Sequence, residues 1–301
     1  MKDKINKVEE VSRDLYIIDS FFAGLPDQCG VFLLRGEKNI LVDCGTSVGV
    51  GHVIEGLEGL GIGELHYILL THIHLDHAGG ASFLLDRFPG ARVLIYERRA
   101  KHLVAPEKLV KSAHRSLGDS APHYGTMRPI PIERVIPIND GYELDIGSGR
   151  TIRAVYTPGH SSGHFAFLER GSGALFCGDS LGHLFPESGY IFPATPAPEF
   201  DGELSLSSAR RLMELEPDLL LFPHYGSSGR CREVVEQYIR KLERSITLAE
   251  EEGPGGSPRH LAERIMSDFP EMNDEETRLL KGIATVDAAG ILHYLKSRGQ
   301  G

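Results

Sequence analysis

One short cluster in the sequence has residue types that bind metal ions. His72-Ile-His-Leu-Asp-His77 places three imidazoles and one carboxylate within six residues. Neutral imidazole nitrogen and carboxylate oxygen are ligands that zinc and similar borderline metals accept. Alternate residues of an extended segment share a face, so we expect His72 and His74 to reach one ion. Asp76 and His77, beyond a turn, are then expected to point at a second ion.

Three later positions carry the same ligand types. They are His160 in a Thr-Pro-Gly-His segment, Asp179 in Gly-Asp-Ser, and His224 in Pro-His-Tyr-Gly. A single histidine or aspartate in a loop is most often a solvated or turn residue, so each position alone is a weak signal. Each one, however, follows an apolar run, as the first cluster does. That recurrence indicates four strand ends that gather polar side chains into one cleft.

Short apolar runs predict the strands that must position these residues. The runs that precede them are Tyr67–Leu70, Ile152–Tyr156, Ala174–Cys177 and Leu219–Phe222. Further strands are predicted at Leu15–Ile18, Val31–Leu34, Ile40–Val42, Arg92–Tyr96, Arg134–Ile138, Tyr142–Ile146 and Phe165–Leu168. Apolar residues at helical spacing predict helices at Val50–Leu60, Ala81–Phe88 and Leu206–Leu215.

The ordered set of ligand types resembles the metallo-β-lactamase superfamily. All five of the usual motifs are present, the first being Leu41-Val-Asp43-x-Gly45, whose aspartate supports the metal loop in that family. The match covers about residues 10 to 227. It implies an α/β fold, an αββα sandwich of two mixed β-sheets flanked by helices, with the metal site at one edge.

The resemblance also implies how the ligands divide. One ion would be held by three histidines, the second by Asp76 with two histidines, and Asp179 would bridge both. Two divalent ions, zinc first with iron or manganese as alternatives, would share a hydroxide as nucleophile. Asp76 and Asp179 are the expected catalytic residues, with Asp76 passing a proton. The expected metal ligands are His72, His74, Asp76, His77, His160, Asp179 and His224.

Two positions indicate which branch of the superfamily the sequence resembles most. Asp179 stands where several antibiotic-hydrolysing lactamases have cysteine, and His74 stands where flavodiiron oxidoreductases have glutamate. Both favour the glyoxalase-II-like and lactonase-like hydrolases, and the Pro-Gly-His pattern before Ser161 agrees. His164 is expected to support the site rather than to bind metal. The C-terminal region shows no glutathione-binding pattern.

Residues 102–130 are rich in Pro, His, Gly and Ser, and they predict a long irregular lid or binding loop with a helical piece within Leu103–Leu117. The side chains that would either line the pocket or form a solvated surface are His114, Arg115, His123, Tyr124 and Met127. Tyr225 and His183 are two more candidates for orienting a carbonyl, with packing as the alternative.

The sequence changes character after residue 228. Arg230–Glu252 has helical apolar spacing, Ser257-Pro258 predicts a helix start, and Asn273–Glu276 predicts another. We therefore predict an αββα domain over residues 1–228 and a C-terminal helical extension over 229–301. These helices either cover the pocket or form a homodimer contact.

Composition sets broader limits. With 32 Lys+Arg against 42 Asp+Glu the net charge is −10, which argues against nucleic acid as a partner. The charged start, the absence of a long apolar stretch and four unpaired cysteines predict a cytoplasmic protein without membrane contact, acting on a small-molecule substrate.

The main hypothesis is a binuclear metal-dependent hydrolase acting on a small ester, thioester or lactone. Three alternatives stay open on the same fold. They are an iron-dependent persulfide-type dioxygenase, a phosphodiesterase, which the −10 charge disfavours, and a metal-binding module without turnover.

Overall fold

The computed structural model describes residues 7–185, 187–224, 226–253, 255–269 and 272–298. The chain divides into two compact units. The first comprises Met1–Tyr156, Phe165–Phe176 and Pro223–Tyr225, and the second comprises Thr157–His164, Cys177–Phe222 and Gly226–Gly301. The predicted boundary at residue 228 therefore stays a prediction about folding domains.

The first unit contains eleven strands and six helices among the described residues. The strands are β1 Val8–Ser12, β2 Leu15–Asp19, β3 Gly30–Leu34, β4 Ile40–Val42, β5 Tyr67–Leu69, β6 Arg92–Tyr96, β7 Val135–Ile138, β8 Glu143–Gly147, β9 Arg150–Tyr156, β10 Phe165–Glu169 and β11 Ala174–Phe176. The helices are α1 Val50–Gly59, α2 Leu75–Ala78, α3 Ala81–Arg87, α4 Ala100–Val104, α5 Glu107–Leu117 and α6 Ala121–Tyr124.

A mixed seven-stranded sheet forms one layer of this unit, in the order β1-β2-β3-β4-β5-β6-β7. Strands β4 to β7 run parallel, with Ile40 opposite Tyr67 and Leu69 opposite Leu94. The carboxyl ends of β4 and β5 therefore lie side by side, so the loops that follow them are neighbours. This edge positions the first cluster of polar residues.

A second layer is formed by the antiparallel strands β8 to β11. The two layers face each other through aromatic side chains, since the rings of Phe32 on β3 and Phe176 on β11 lie 5.6 Å apart, edge to face. Both side chains are buried. The predicted architecture is confirmed: β-sheets packed as an α/β sandwich, flanked by helices, with a C-terminal helical extension.

The second unit contains four strands and four helices among the residues that the structure describes. They are β12 His183–Phe185, β13 Tyr190–Phe192, α7 Gly202–Glu214, β14 Leu219–Phe222, β15 Gly226–Ser228, α8 Cys231–Glu252, α9 Pro258–Ser267 and α10 Asp274–Arg298. The predicted helix starts are confirmed, since Ser257 accepts a hydrogen bond from the His260 N–H and Asn273 from the Glu276 N–H.

The irregular conformation predicted for residues 102–130 is wrong, whereas the helical piece predicted within Leu103–Leu117 is confirmed by α5. Most of this segment is helical, in α5, α6 and the end of α4. Helix α4 ends at Val104, and α5 begins at Glu107 after Pro106. Helix α5 has no fully buried residue, and its apolar side chains Leu109, Val110, Ala113 and Leu117 pack partly buried against the core.

Candidate metal centre

The loop after β5 is held by the loop after β4. Asp43 is buried and takes φ = 60°, a left-handed conformation that aspartate tolerates. Its carboxylate accepts hydrogen bonds from the Thr71 N–H at 2.8 Å and from the Thr71 hydroxyl at 2.9–3.0 Å. It also accepts from His77 Nδ1 at 2.8 Å. The support that the family resemblance implies for Asp43 is therefore present.

Gly80, which follows the loop after β5, is required there for a steric reason. A Cβ atom on Gly80 would collide with the carbonyl oxygen of Cys44, because the two loops approach that closely. The backbone pairs across the same gap, with the Gly80 N–H donating to the Gly45 oxygen at 2.9 Å. The Gly79-Gly80 pair therefore lets the short helix α2 lie against the Asp43 loop.

Three donors of the first unit converge. His77 Nε2 and His224 Nε2 lie 3.7 Å and 3.5 Å from Asp76 Oδ2, and the ligand atoms of all three lie within 4.8 Å of one another. Two atoms bound at ~2.1 Å to one tetrahedral ion are about 3.4 Å apart. These spacings, too long for strong hydrogen bonds, fit donors arranged around an ion.

His72 and His74 lie beside this group. The Thr71 hydroxyl proton goes to Asp43, so Thr71 Oγ1 accepts from His72 Nδ1–H at 3.0 Å. The opposite nitrogen of the ring, His72 Nε2, lies 3.0 Å from His74 Nδ1, so one ring nitrogen of each histidine lies next to the other. The rings of His72 and His77 are 4.1 Å apart. We call His72, His74, Asp76, His77 and His224 the first-unit donor set.

The two remaining predicted ligands meet within the second unit. His160 Nε2 lies 3.4 Å from Asp179 Oδ2, and both side chains are buried. His160 Nδ1–H donates to the Ala194 carbonyl at 3.1 Å. We call His160 and Asp179 the second-unit donor pair.

His164 has the supporting role that the sequence predicts. Its Nε2 accepts the Asp179 N–H at 3.0 Å, and its Nδ1–H donates to the Thr157 hydroxyl at 2.8 Å. The first bond holds the backbone at Asp179, and the second orients the His164 ring. His164 therefore supports the segment that carries Asp179.

Four of the candidate ligand histidines share one pattern of protonation. Nδ1–H is held by Asp43 at His77, by Thr71 at His72, by the Gln28 carbonyl at His224 (3.2 Å), and by the Ala194 carbonyl at His160. In each of these histidines Nε2 therefore carries a lone pair, and this is the tautomer that binds metal through Nε2. The donor chemistry fits divalent zinc, iron or manganese.

The residues predicted to line or cover the pocket make the following contacts in the structure. His114 Nε2 contacts the Gly125 carbonyl at 2.6 Å and Tyr124 packs edge-to-face on Phe22 at 5.0 Å, while Met127 lies in the core. Arg115 and His123 are exposed, and His183 is half-buried at the start of β12. The prediction for Tyr225 falls outside the described residues.

Two contacts in these sites carry no sequence signal. The Gln28 and Ala194 carbonyls orient His224 and His160, but every residue has a carbonyl group, so only the fold selects these two. The buried Asp19 is also absent from the sequence predictions. Its carboxylate accepts the Phe21 and Asp27 N–H groups at 2.8 Å and holds the loop that leads to Gln28.

Comparison with known proteins gives a consistent result. The family model described as metallo-beta-lactamase superfamily matches residues 24–224. A metallo-beta-lactamase fold-containing protein, ST1585 from Sulfurisphaera tokodaii, is 32% identical over 243 residues, which is 78% of this chain and 88% of that protein. A hydroxyacylglutathione hydrolase from Aeromonas salmonicida is 32% identical over 64% of this chain and 59% of its own length.

A solved structure shows the same fold. The crystal structure of an archaeal metallo-beta-lactamase superfamily protein, ST1585 from Sulfolobus tokodaii, superposes with a TM-score of 0.72 at 27% identity. The alignment covers 93% of this chain and 98% of that one. No helix in the described part of the chain is long and apolar enough to cross a membrane.

Proposed function

The chain belongs to the metallo-beta-lactamase superfamily, and on that premise we propose that it is a hydrolase with two divalent metal ions that cleaves a small ester, thioester or lactone. The observation that carries the proposal is the convergence of Asp76, His77 and His224. Their histidines are held in the tautomer that binds metal, and the carboxylate lies at ligand spacing from both.

We assign the ligands as follows. Asp76, His77 and His224 hold one ion, since they form a compact group by themselves. His72, His74 and His160 hold the other, and Asp179 is shared by both. The 3.0 Å separation of the nitrogens of His72 and His74 and the 3.4 Å approach of His160 to Asp179 support this division.

When bound, such ions polarise a carbonyl oxygen and make a water molecule nucleophilic at neutral pH. The chain's own residues supply the rest. Asp179 is buried, and the hydrogen bond from its backbone N–H to His164 Nε2 fixes the backbone that carries its carboxylate. Asp76 has a side chain that is 13% exposed, so it can pass a proton between the reacting group and solvent. These are the roles proposed for the two aspartates.

The proposed substrate class follows from the relatives and from charge. One relative is a hydroxyacylglutathione hydrolase, which supports an acyl thioester as the first substrate to try. The net charge of −10 gives no long-range attraction for polyanions, so phosphodiesters rank lower.

Metal analysis of the purified protein, joined to a panel assay with thioesters, lactones, phosphodiesters and persulfides, tests the proposal. We expect about two zinc ions per chain, as in two-metal hydrolases, and turnover of a thioester or lactone. One iron per chain with oxygen consumption would identify a dioxygenase instead. Bound metal without turnover of any substrate would point to a binding module.

A matched pair of variants tests the assignment of Asp179. Asp179→Ala is expected to lower both metal content and turnover, because it removes the shared carboxylate. Asp218→Ala, which removes an exposed carboxylate in the same unit, is expected to change neither. Unchanged metal content in Asp179→Ala would show that the proposed bridge is wrong.

A further inference from the structure

Helix α10 makes a buried polar contact with the segment after β13. Asp287, in the interior of α10, is 5% exposed, and Thr195 is fully buried. The Asp287 carboxylate accepts a hydrogen bond from the Thr195 N–H at 2.5 Å, and the Thr195 hydroxyl oxygen lies 3.4 Å from the same carboxylate. This hydroxyl donates its proton to the Asp287 backbone carbonyl, 2.9 Å away. Both the backbone and the side chain of Thr195 are thus fixed by one residue of α10.

The backbones of α10 and this segment also approach each other closely. A Cβ atom on Gly290 would collide with the Thr195 carbonyl oxygen. The segment itself is stiff, because Pro193 and Pro196 flank the pair Ala194-Thr195 and fix their own φ angles. The Thr195 N–H and the Ala194 carbonyl belong to one planar peptide group, so a displacement of this N–H also moves the carbonyl.

Ala194 is the residue that orients a proposed metal ligand. Its carbonyl accepts the Nδ1–H of His160 at 3.1 Å. That hydrogen bond keeps the proton on Nδ1 and turns Nε2 toward Asp179, 3.4 Å away. A continuous set of buried contacts thus runs from Asp287 through Thr195 and Ala194 to His160.

We propose that Asp287 is a positioning residue for the metal ligand His160, and that the C-terminal helix α10 is part of the support of the metal centre. This inference rests on the proposed function, in which His160 binds an ion. On this inference the helical extension helps to position a metal ligand, a role that differs from covering the pocket and from forming a dimer contact.

Zinc affinity measured by competition with a chelator tests the inference. Loss of a partner that orients a ligand weakens metal binding by about 10- to 100-fold. Because Asp287 acts through two further residues, we expect Asp287→Ala to weaken one of the two ions by about 10-fold, the lower end of that range. The absorption spectrum of the cobalt-loaded protein should change as well, because the ligand field at His160 is altered.

Several variants separate positioning from general destabilisation. Asp287→Asn keeps an oxygen that accepts the Thr195 N–H, so it should retain near-normal affinity for both ions. Val286→Ala, at an exposed neighbour on α10, is the matched control and should bind like the wild type. Thr195→Val keeps the backbone hydrogen bond and the side-chain volume, so it should fold and weaken the same ion to a smaller extent, even where Asp287→Ala does not fold.

The ion affected must be the one that His160 binds. His160→Ala and Asp287→Ala should weaken the same ion, and their combination should be less than additive, whereas His77→Ala should weaken the other. Equal weakening of both ions, or wild-type affinity for both in Asp287→Ala and Thr195→Val, would overturn the inference while the proposed function stands. A wild-type protein that binds no zinc would instead overturn the proposed function.

Discussion

At the scale of single residues, Asp43 connects both ends of the metal loop. Its carboxylate takes the Thr71 N–H and hydroxyl at the start of the loop and His77 Nδ1–H at the end. One buried acid thereby sets the direction of His77 Nε2, and through Thr71 Oγ1 also the direction of His72 Nε2. Two members of the first-unit donor set are thus oriented by a residue that is not itself a proposed ligand.

Replacing Asp43 should therefore weaken metal binding. We expect Asp43→Ala to lower zinc affinity by about 10- to 100-fold, because His77 loses the acceptor that fixes its tautomer. Asp43→Asn keeps one oxygen acceptor and should lose less. Chelator competition on the folded variants gives the measurement. Equal affinity in Asp43→Ala and the wild type would show that this hydrogen bond does not prepare the site.

The sequence predicts the contacts that side chains of recognisable type make, but not the contacts that backbone groups make. The seven proposed ligands are visible as residue types that follow apolar runs, and a family motif indicates Asp43. The Gln28 and Ala194 carbonyls are not visible, because a backbone group has no sequence signature. Asp287 lies on a distant helix, so only the folded chain shows its contact with Thr195.

At the scale of elements, a buried acid stabilises the turn between β10 and β11. Glu169 is fully buried and accepts hydrogen bonds from the Gly171 and Ser172 N–H groups at 2.9 and 2.7 Å and from Arg150 Nε at 3.3 Å. Burial raises the pKa of this carboxyl, but the hydrogen bonds from Ser172, Arg150 and Gly171 outweigh it and hold the pKa below its usual value.

This lowered pKa predicts a pH-dependent effect of Glu169→Gln. The ionised carboxylate stabilises the fold fully above its unfolded-state pKa, and that stabilisation is lost as the pH falls through the lower pKa of the folded state. We expect the variant to lose about 1–3 kcal/mol of unfolding free energy near neutral pH. The difference from the wild type should shrink below about pH 4.

Urea unfolding at neutral and acid pH measures this effect. Glu143→Gln is the control, because Glu143 pairs with Arg170 on the surface, where both side chains are about half exposed. It should change the unfolding free energy little at either pH. A Glu169→Gln deficit that stays constant from neutral to acid pH would contradict the assignment of an ionised Glu169.

The start of helix α7 offers a second test at this scale. Asp201 is the N-cap, and its side chain accepts the Leu204 N–H at 3.0 Å. We expect Asp201→Ala to cost about 1 kcal/mol of unfolding free energy, whereas Asp201→Asn, an equally good cap, should cost little. Thermal unfolding of both variants checks this. Equal losses would show that charge, and not the cap hydrogen bond, is what matters there.

Elements with a strong local pattern could be predicted, and weakly patterned ones could not. Strands β4 and β6 match the predicted limits, and α1 differs from them by one residue. Strands β12, β13 and β15 lie outside the sequence predictions, and β15 is Gly-Ser-Ser, which has no apolar side chain. Helix α7 begins earlier than predicted because the Asp201 cap, and not the apolar spacing, sets its start.

At the scale of the whole molecule, metal binding should contribute to stability. Ions that bind the folded chain and not the unfolded one raise its stability by mass action, by about 2.7 kcal/mol at a hundredfold excess over Kd. We expect a strong chelator to lower the Tm and added zinc to restore it. A Tm that is indifferent to both would contradict tight metal binding by the folded state.

The composition of the whole chain said little about the reaction. The net charge of −10 would become −6 with two divalent ions bound, and that change would fall on seven side chains. Homodimer formation and cytoplasmic location stay predictions. The helical extension is predictable from its apolar spacing, but its contact with Thr195 depends on packing that the spacing does not encode.

The proposed binuclear hydrolase is tested most directly by titrating metal-depleted protein with zinc and following thioester or lactone turnover. Because both donor groups are needed, turnover should rise to a maximum at about two zinc ions per chain, the stoichiometry of a two-metal site. His77→Ala and His160→Ala should each fail to reach that maximum. Full turnover at one zinc per chain, or in protein without metal, would contradict the account.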